Sequence, residues 1–307
     1  MKFAIIGVGG IGGYLGARLA AAGHEVVFVA RGAHAEAMRR DGLTLKSPQG
    51  DVHIAKPEVP EDPSGYRPVD AVFVCVKLWD VEPVAPTLRP FLREDSAVIP
   101  LQNGISACDI LSKSLGADHV LGGVARFSAA IESPGVIRHN TAFATILFGE
   151  LDRRKSPRQD TLLAACLEAG IDAKVPDDIE VVMWEKFAYL APLAGACCFA
   201  QASVDNVVKN PAERARLQAM LEEAVAVGRA KGVALDAELA KRNMQYALEL
   251  NPGIKPSMLV DLENGRRLEL EWLNGEIVRL GKELSLPTPA NGEVYEALKP
   301  YAMGGPT

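Results

Sequence analysis

Three glycines near the start of the chain stand at a spacing that suits phosphate chemistry. Gly7, Gly9 and Gly12 follow the G-x-G-x-x-G order, directly after the β-rich run 3–6 and ahead of an alanine-rich helical pattern that reaches Gly23. Strand, tight turn and helix start together predict a seat for a dinucleotide pyrophosphate. Gly7 permits the turn, Gly9 removes a side chain where backbone must approach phosphate, and Gly12 lets helix and strand pack closely. Gly10 and Ile11 complete the expected cradle, and the helix N-terminus adds free N–H groups and a positive dipole end. The alternative is a glycine-rich turn with no ligand. A second β run at 26–29 completes a β-α-β unit, which favours the nucleotide reading. A secretory leader is not expected, because three glycines interrupt the apolar run and Lys2 is the only basic residue ahead of it.

The second strand ends at Ala30-Arg31-Gly32. NAD-preferring sites usually present Asp or Glu near this point to the ribose 2′-hydroxyl. Here Glu25 lies at the wrong end of the strand and Arg31 stands where the acid would be. A guanidinium suits a 2′-phosphate through charge-assisted hydrogen bonds, so NADPH is the expected cofactor; the alternative for Arg31 is a solvated loop cation.

Other polar residues fall where a sheet or helix could aim them. Lys77 ends a third apolar strand, 72–77, and Asn103 follows a fourth, 97–102. The carboxyl ends of parallel strands border the ligand crevice of an open sheet. Position alone leaves each as a site residue, or as a surface cation and a turn residue. Lys186 sits among Trp184, Phe187, Leu190 and Leu193 in an apolar helical pattern. It either snorkels outward or is partly buried, and burial would suit it to proton transfer. Ser257 starts a short helical pattern, where an N-cap is the simple reading, and Glu269 is read early in the next helix, where an acid complements the dipole.

The elements that must hold these residues divide the chain in two. Its 307 residues suffice for two domains, and 48% hydrophobic with 23% charged residues is ordinary for a soluble globular protein. A net charge of −6, with 153–158 as the only basic cluster, argues against nucleic acid and anionic membrane. No apolar run of membrane-spanning length is free of polar or glycine interruptions. Five cysteines without zinc-type spacing suit a reducing cytoplasm, and no metal site is expected. The first half alternates strand and helix signals, with a hairpin around Pro48-Gln49-Gly50 and further strands at 120–125, 136–138 and 143–148. After about residue 175 strands nearly vanish. Helices are predicted at 177–199, 237–250, 266–284 and 291–299, with another started by Asn210-Pro211-x-Glu213. The expected fold is α/β: an N-terminal Rossmann-like doubly wound sheet with extra strands on one side (1–173), then a C-terminal all-α helical domain (174–307). A cleft between the two is the expected place for substrate. The apolar faces of the helical part would serve a homodimer or intradomain packing equally.

Together these pieces resemble the ketopantoate reductase family over nearly the whole chain. The resemblance rests on the glycine fingerprint, Val76-Lys77, Gln102-Asn103-Gly104, Ser133-Pro134-Gly135, Gly149-Glu150 and Trp184-Glu185-Lys186-Phe187. It continues through Pro256-Ser257-Met258-x-x-Asp261-Leu262, Glu269, Asn274-Gly275 and Thr288-Pro289-x-Asn291. Each motif is weak alone; the ordered set is specific. The resemblance implies NADPH-dependent reduction of the 2-oxo acid ketopantoate to pantoate, a coenzyme A precursor. It implies that Lys186 polarises the ketone and donates the proton, and that Glu269 contacts a substrate hydroxyl. It also implies that Ser257 and Asn103 surround the substrate, that Lys77 lines the cofactor and substrate cleft, and that Arg31 contacts the 2′-phosphate.

One departure bears on the substrate. The family pattern on the lysine helix is Lys-x-x-x-Asn-x-x-x-Asn, with both amides on the lysine's face. Here those positions are Leu190 and Ala194, and Pro192 lies between them. A site that loses hydroxyl-binding amides loses discrimination for a hydroxylated substrate. Three functions follow: a ketopantoate reductase, a reductase of the same family for a less polar 2-oxo acid or ketone, and a non-catalytic NADPH-binding sensor or scaffold. Retention of Lys186 and Glu269 speaks against the third.

Overall fold

The computed structural model describes residues 1–305. The chain forms two compact units: Met1–Gln102 with Ser106–Ile179, and Asn103–Ile105 with the chain from Glu180 onward. The division falls later than the 173/174 boundary expected from the sequence, because Asp172–Lys174 forms a strand that pairs with Thr145–Leu147.

The first unit begins with β1 (Lys2–Ile6), α1 (Gly10–Ala21), β2 (Glu25–Val29), α2 (Gly32–Asp41), β3 (Leu43–Lys46) and β4 (Val52–Ile54). It continues with β5 (Ala71–Val74), α3 (Leu78–Val84), β6 (Ala97–Pro100), α4 (Ser106–Leu115) and β7 (Leu121–Arg126). β8 (Ala129–Ser133), β9 (Val136–His139), β10 (Thr145–Glu150), α5 (Pro157–Glu168) and β11 (Asp172–Lys174) complete it. The central sheet is parallel, in the order β2-β1-β5-β6. Every residue of β5 and β6 and all but the first of β1 are buried. Such unbroken apolar runs are what a strand covered on both faces requires. β2 and β5 lie on opposite sides of β1, so the topological switch point is at the carboxyl end of β1.

β7, β10 and β11 form a second sheet, linked to β6 by a parallel bridge between Val98 and Val120. The strand expected at 136–138 is β9, but it does not extend the doubly wound sheet; it joins the expected hairpin β3–β4 and β8, a strand not expected from the sequence. They form a sheet of their own, ordered β4-β3-β9-β8, that packs on α1. Glycines in α1 make this possible. A Cβ on Gly10 would lie 1.9 Å from the Ala129 carbonyl oxygen, and one on Gly13 would lie 2.5 Å from the Ile137 side chain. On the other face, a Cβ on Gly16 would lie 2.3 Å from the Phe28 ring. Bare backbone lets one helix seat against two sheets.

The second unit is helical: α6 (Ile179–Ala200), α7 (Val204–Lys209), α8 (Pro211–Ala230), α9 (Leu239–Glu249), α10 (Ser257–Glu263), α11 (Asn274–Glu283) and α12 (Pro289–Leu298). α6 carries Glu180, Glu185 and Lys186 in its first half and is apolar and buried from Ala191 to Cys198, which marks its second half as core. Pro192 is accommodated without interrupting it. Among the described residues no helix is long and apolar enough to cross a membrane. α8 starts as its sequence predicts: the Asn210 side chain accepts from the Ala212 N–H at 3.0 Å, with Pro211 at the first helical position. The 266–284 segment is not the single helix expected. A 3₁₀ turn at Leu270–Trp272 precedes α11, and Leu273 lies outside helical geometry with φ −105 and ψ −95.

Several motif residues serve packing. Asn274 is fully buried and donates to the Asn291 Oδ1 at 3.1 Å; Asn291 donates in turn to Glu223 at 2.7 Å. Glu223 also accepts from the backbone N–H groups of Ala290 and Asn291 at 2.7 and 2.9 Å, so α8 caps α12 with a carboxylate. A Cβ on Gly195 of α6 would fall 2.5 Å from Asn274, which explains the glycine there.

Candidate functional site

The turn after β1 has the features of a phosphate seat. Gly7 takes φ +91, a left-handed conformation that favours glycine, and its N–H donates to the Val29 carbonyl at 3.0 Å. A Cβ on Gly12 would fall 2.1 Å from the Gly7 carbonyl oxygen and 2.9 Å from Ile5, so glycine there sets the helix–strand distance. At Gly9 a Cβ would meet nothing within 4 Å. Its bare backbone faces open space, while α1 starts one residue later with no side-chain cap. Unfilled space over glycine backbone at a helix N-terminus fits a dinucleotide's pyrophosphate. Gly10 and Ile11 form the first residues of α1, and glycine at position 10 is demanded by the approach of β8.

The strand ends beside this turn carry Arg31 and Lys77. Arg31 precedes α2 in extended conformation, and its side chain is 85% exposed. It is not a free loop cation: its Nη2 donates to the Asp80 Oδ2 at 2.7 Å. Asp80 lies in the first turn of α3, three residues after Lys77, and is only 24% exposed. This acid was not singled out from the sequence. Its signal was a carboxylate one turn beyond a strand end, but its partner is 49 residues away. An ion pair with so exposed a guanidinium contributes about 1 kcal/mol or less to stability, so it is easily exchanged for another partner. Lys77 is exposed, and its Nζ lies 5.6 Å from the Trp79 ring centroid.

At the end of β6, Gln102 does the positioning. Its Nε2 donates to the Val74 and Val76 carbonyls at 3.0 and 2.9 Å, which ties the loop after β6 to the loop that carries Lys77. Asn103 follows it, half-buried, in the short stretch that groups with the helical unit.

That unit also holds the other three candidates. Lys186 lies half-buried on α6, two residues after Trp184 and one before Phe187. The rings of Trp184 and Phe187 are buried and meet edge to face at 5.5 Å, which fixes this turn of the helix. Four and eight residues on, Leu190 is half-buried and Ala194 is 2% exposed. Ser257 is the first residue of α10 and exposed; Pro256, not Ser257, occupies the N-cap position, so its hydroxyl is not a helix cap. Glu269 is 6% exposed and precedes the 3₁₀ turn, with its carbonyl accepting from the Trp272 and Leu273 N–H groups. It therefore does not lie in the first turn of a long helix. A buried carboxylate off a helix end costs energy that dipole stabilisation does not explain.

Glu150 and the cysteines have structural surroundings. Glu150 is 4% exposed and receives a two-pronged contact from Arg158, at 2.8 and 2.7 Å, and a 2.5 Å hydrogen bond from Ser156. Burial alone would raise its carboxyl; Arg158 and Ser156 outweigh burial and hold it below the usual range. All five cysteines are free, and burial pushes the Cys166 and Cys197 thiols up to about 12. Such thiols are poor nucleophiles. Among the described residues no cluster of three or more His, Cys, Asp or Glu could hold a metal.

Comparison with known proteins agrees with this architecture. Residues 3–153 match the family described as ketopantoate reductase PanE/ApbA, and residues 178–302 match its C-terminal part. A 2-dehydropantoate 2-reductase of Archaeoglobus fulgidus is 31% identical over 300 residues, covering 98% of this chain and 97% of that one. An uncharacterized oxidoreductase, YkpB of Bacillus subtilis, is 30% identical over 301 residues, covering 98% and 99%. Among solved structures, a D-mandelate dehydrogenase with NADH and anilino(oxo)acetate superposes with a TM-score of 0.89 over 98% of both chains; at 22% identity this likeness speaks for the fold alone. The chain belongs to the ketopantoate reductase family and is an oxidoreductase that acts on a CH–OH group with a nicotinamide cofactor.

Proposed function

We propose that the protein reduces a 2-oxo acid to its 2-hydroxy acid with NADPH, and that Lys186 is the proton donor. The observation that carries this reading is Lys186 itself, a half-buried lysine beside the buried Trp184 and Phe187 on α6. The bound nicotinamide supplies the hydride. The Lys186 ammonium polarises the substrate ketone and gives its proton to the oxygen as negative charge develops there, an interaction stronger in the transition state than in the ground state. Glu269, buried behind the 3₁₀ turn, orients a substrate hydroxyl. Ser257 offers an uncommitted hydroxyl at the start of α10, and Asn103 an amide after β6. Arg31 holds the 2′-phosphate and Lys77 a cofactor phosphate or the substrate carboxylate. The same reading puts the enzyme in the cytoplasm, in the step that forms pantoate.

Ketopantoate is the leading substrate. A second reading is favoured by Leu190 and Ala194, whose apolar side chains replace hydrogen-bonding amides on the lysine helix. It gives the site a less polar 2-oxo acid. Steady-state NADPH oxidation with ketopantoate beside branched and aromatic 2-oxo acids decides between them. Fast turnover with ketopantoate supports the first reading, and slow turnover with a better apolar acid supports the second. Tight NADPH binding with no turnover on any ketone would leave a sensor or scaffold.

A further inference from the structure

We infer that Asp80 is a cofactor-specificity residue, supplying from α3 the carboxylate that NAD-preferring folds present at the end of β2. The inference rests on the nicotinamide-cofactor reading of the glycine turn. β1 lies between β2 and β5 in the sheet, so the ends of β2 and β5 stand about 9–10 Å apart, two strand spacings. Arg31 follows one and Asp80 follows the other, and their side chains meet at 2.7 Å. The pair therefore bridges the mouth of the turn that β1 feeds, where the adenosine ribose of a dinucleotide falls. It presents both signs of charge to the 2′ position.

The two cofactors ask opposite things of this pair. A 2′-phosphate attracts Arg31 and is repelled by Asp80, so NADPH must draw the guanidinium away from the carboxylate. A 2′-hydroxyl can donate to Asp80, while Arg31 keeps its partner and neutralises the acid. The exposure of Arg31, 85%, against 24% for Asp80, makes the arginine the member that moves. The enzyme thus accepts both NADPH and NADH, and Asp80 limits the preference that Arg31 creates.

The test is direct binding of NADPH, NADH, 2′,5′-ADP and 5′-AMP, without a 2-oxo acid, to wild type, Asp80→Ala and Asp80→Glu. Loss of one charged hydrogen bond is worth roughly tenfold in affinity. Asp80→Ala is expected to weaken NADH and 5′-AMP by about that factor and to tighten NADPH and 2′,5′-ADP severalfold. Asp80→Glu, which keeps the charge, is expected to retain NADH binding, a rescue that a merely structural role of Asp80 would not give. An NADH-to-NADPH affinity ratio unchanged in Asp80→Ala would overturn the role of Asp80 alone. Failure of wild type to bind either dinucleotide would overturn the cofactor reading, and this inference would fall with it.

Discussion

The two units present their functional groups by different means. In the first, the candidate nucleotide edge is made of backbone: a left-handed Gly7, a bare Gly9 and strand ends ordered by a parallel sheet. In the second, the candidate chemistry is made of side chains, Lys186 on α6, Ser257 on α10 and Glu269 before a 3₁₀ turn, each held by a different element. A backbone site is fixed by local sequence and tolerates change elsewhere. A side-chain site assembled from separated elements depends on the packing of the whole unit. Single replacements within that unit can therefore alter such a site.

The largest effect should come from removing the candidate proton donor of the second unit. Lys186→Ala is expected to lower kcat by about 10³, within the range for a general acid, while the NADPH Kd stays unchanged. Stopped-flow and equilibrium titration check this; equal loss of both would make Lys186 a structural residue.

Within the first unit, two glycines three positions apart should separate packing from binding. Gly12→Ala places a methyl 2.1 Å from the Gly7 carbonyl oxygen, and should cost about 3 kcal/mol of stability in denaturant unfolding. Gly9→Ala meets open space, so stability should change by less than about 0.5 kcal/mol while dinucleotide affinity falls. Loss of stability in both variants, with equal loss of affinity, would show that Gly9 has only a structural role.

A purely structural charge pair provides the control. Arg158→Ala strands the Glu150 carboxylate and should cost about 3 kcal/mol at neutral pH without altering cofactor preference. The sign with pH follows from the lowered carboxyl. A carboxylate depressed in the folded state stabilises above its unfolded value of about 4.3, and this contribution disappears as pH falls through the folded value. The gap between wild type and Arg158→Ala should therefore narrow in acid, as thermal melts at neutral and acid pH would show.

The smallest effect is the most informative about substrate. Leu190→Asn restores one amide to the lysine helix and should shift the kcat/KM ratio of ketopantoate to an apolar 2-oxo acid about tenfold toward ketopantoate. An unchanged ratio would mean that Leu190 does not face the substrate.

Local signals carried much of this protein. The glycine spacing, the apolar runs of β1, β5 and β6 and the Asn210-Pro211 helix start each act over a few residues, and each appears in the fold as its pattern implies. What failed to show was nonlocal. The strand at 136–138 reads as an addition to the main sheet and β8 is not expected from the sequence, yet both join the hairpin β3–β4 in a separate sheet, because the glycine faces of α1 admit a second sheet. The 266–284 periodicity reads as one helix, but Leu273 breaks it and Glu269 is left buried beside a 3₁₀ turn.

Lys186 stands out as the candidate proton donor only through the family resemblance; the sequence by itself determined most element types and the glycine turn after β1. These depend on backbone freedom, periodicity and residue chemistry within a few positions. Only the tertiary structure decided that Arg31 meets Asp80, that Gln102 ties two strand ends together and that Glu223 caps α12. Each of those contacts joins residues 26 or more positions apart. Partner choice at that range is set by strand order and helix packing, which single-residue patterns do not encode.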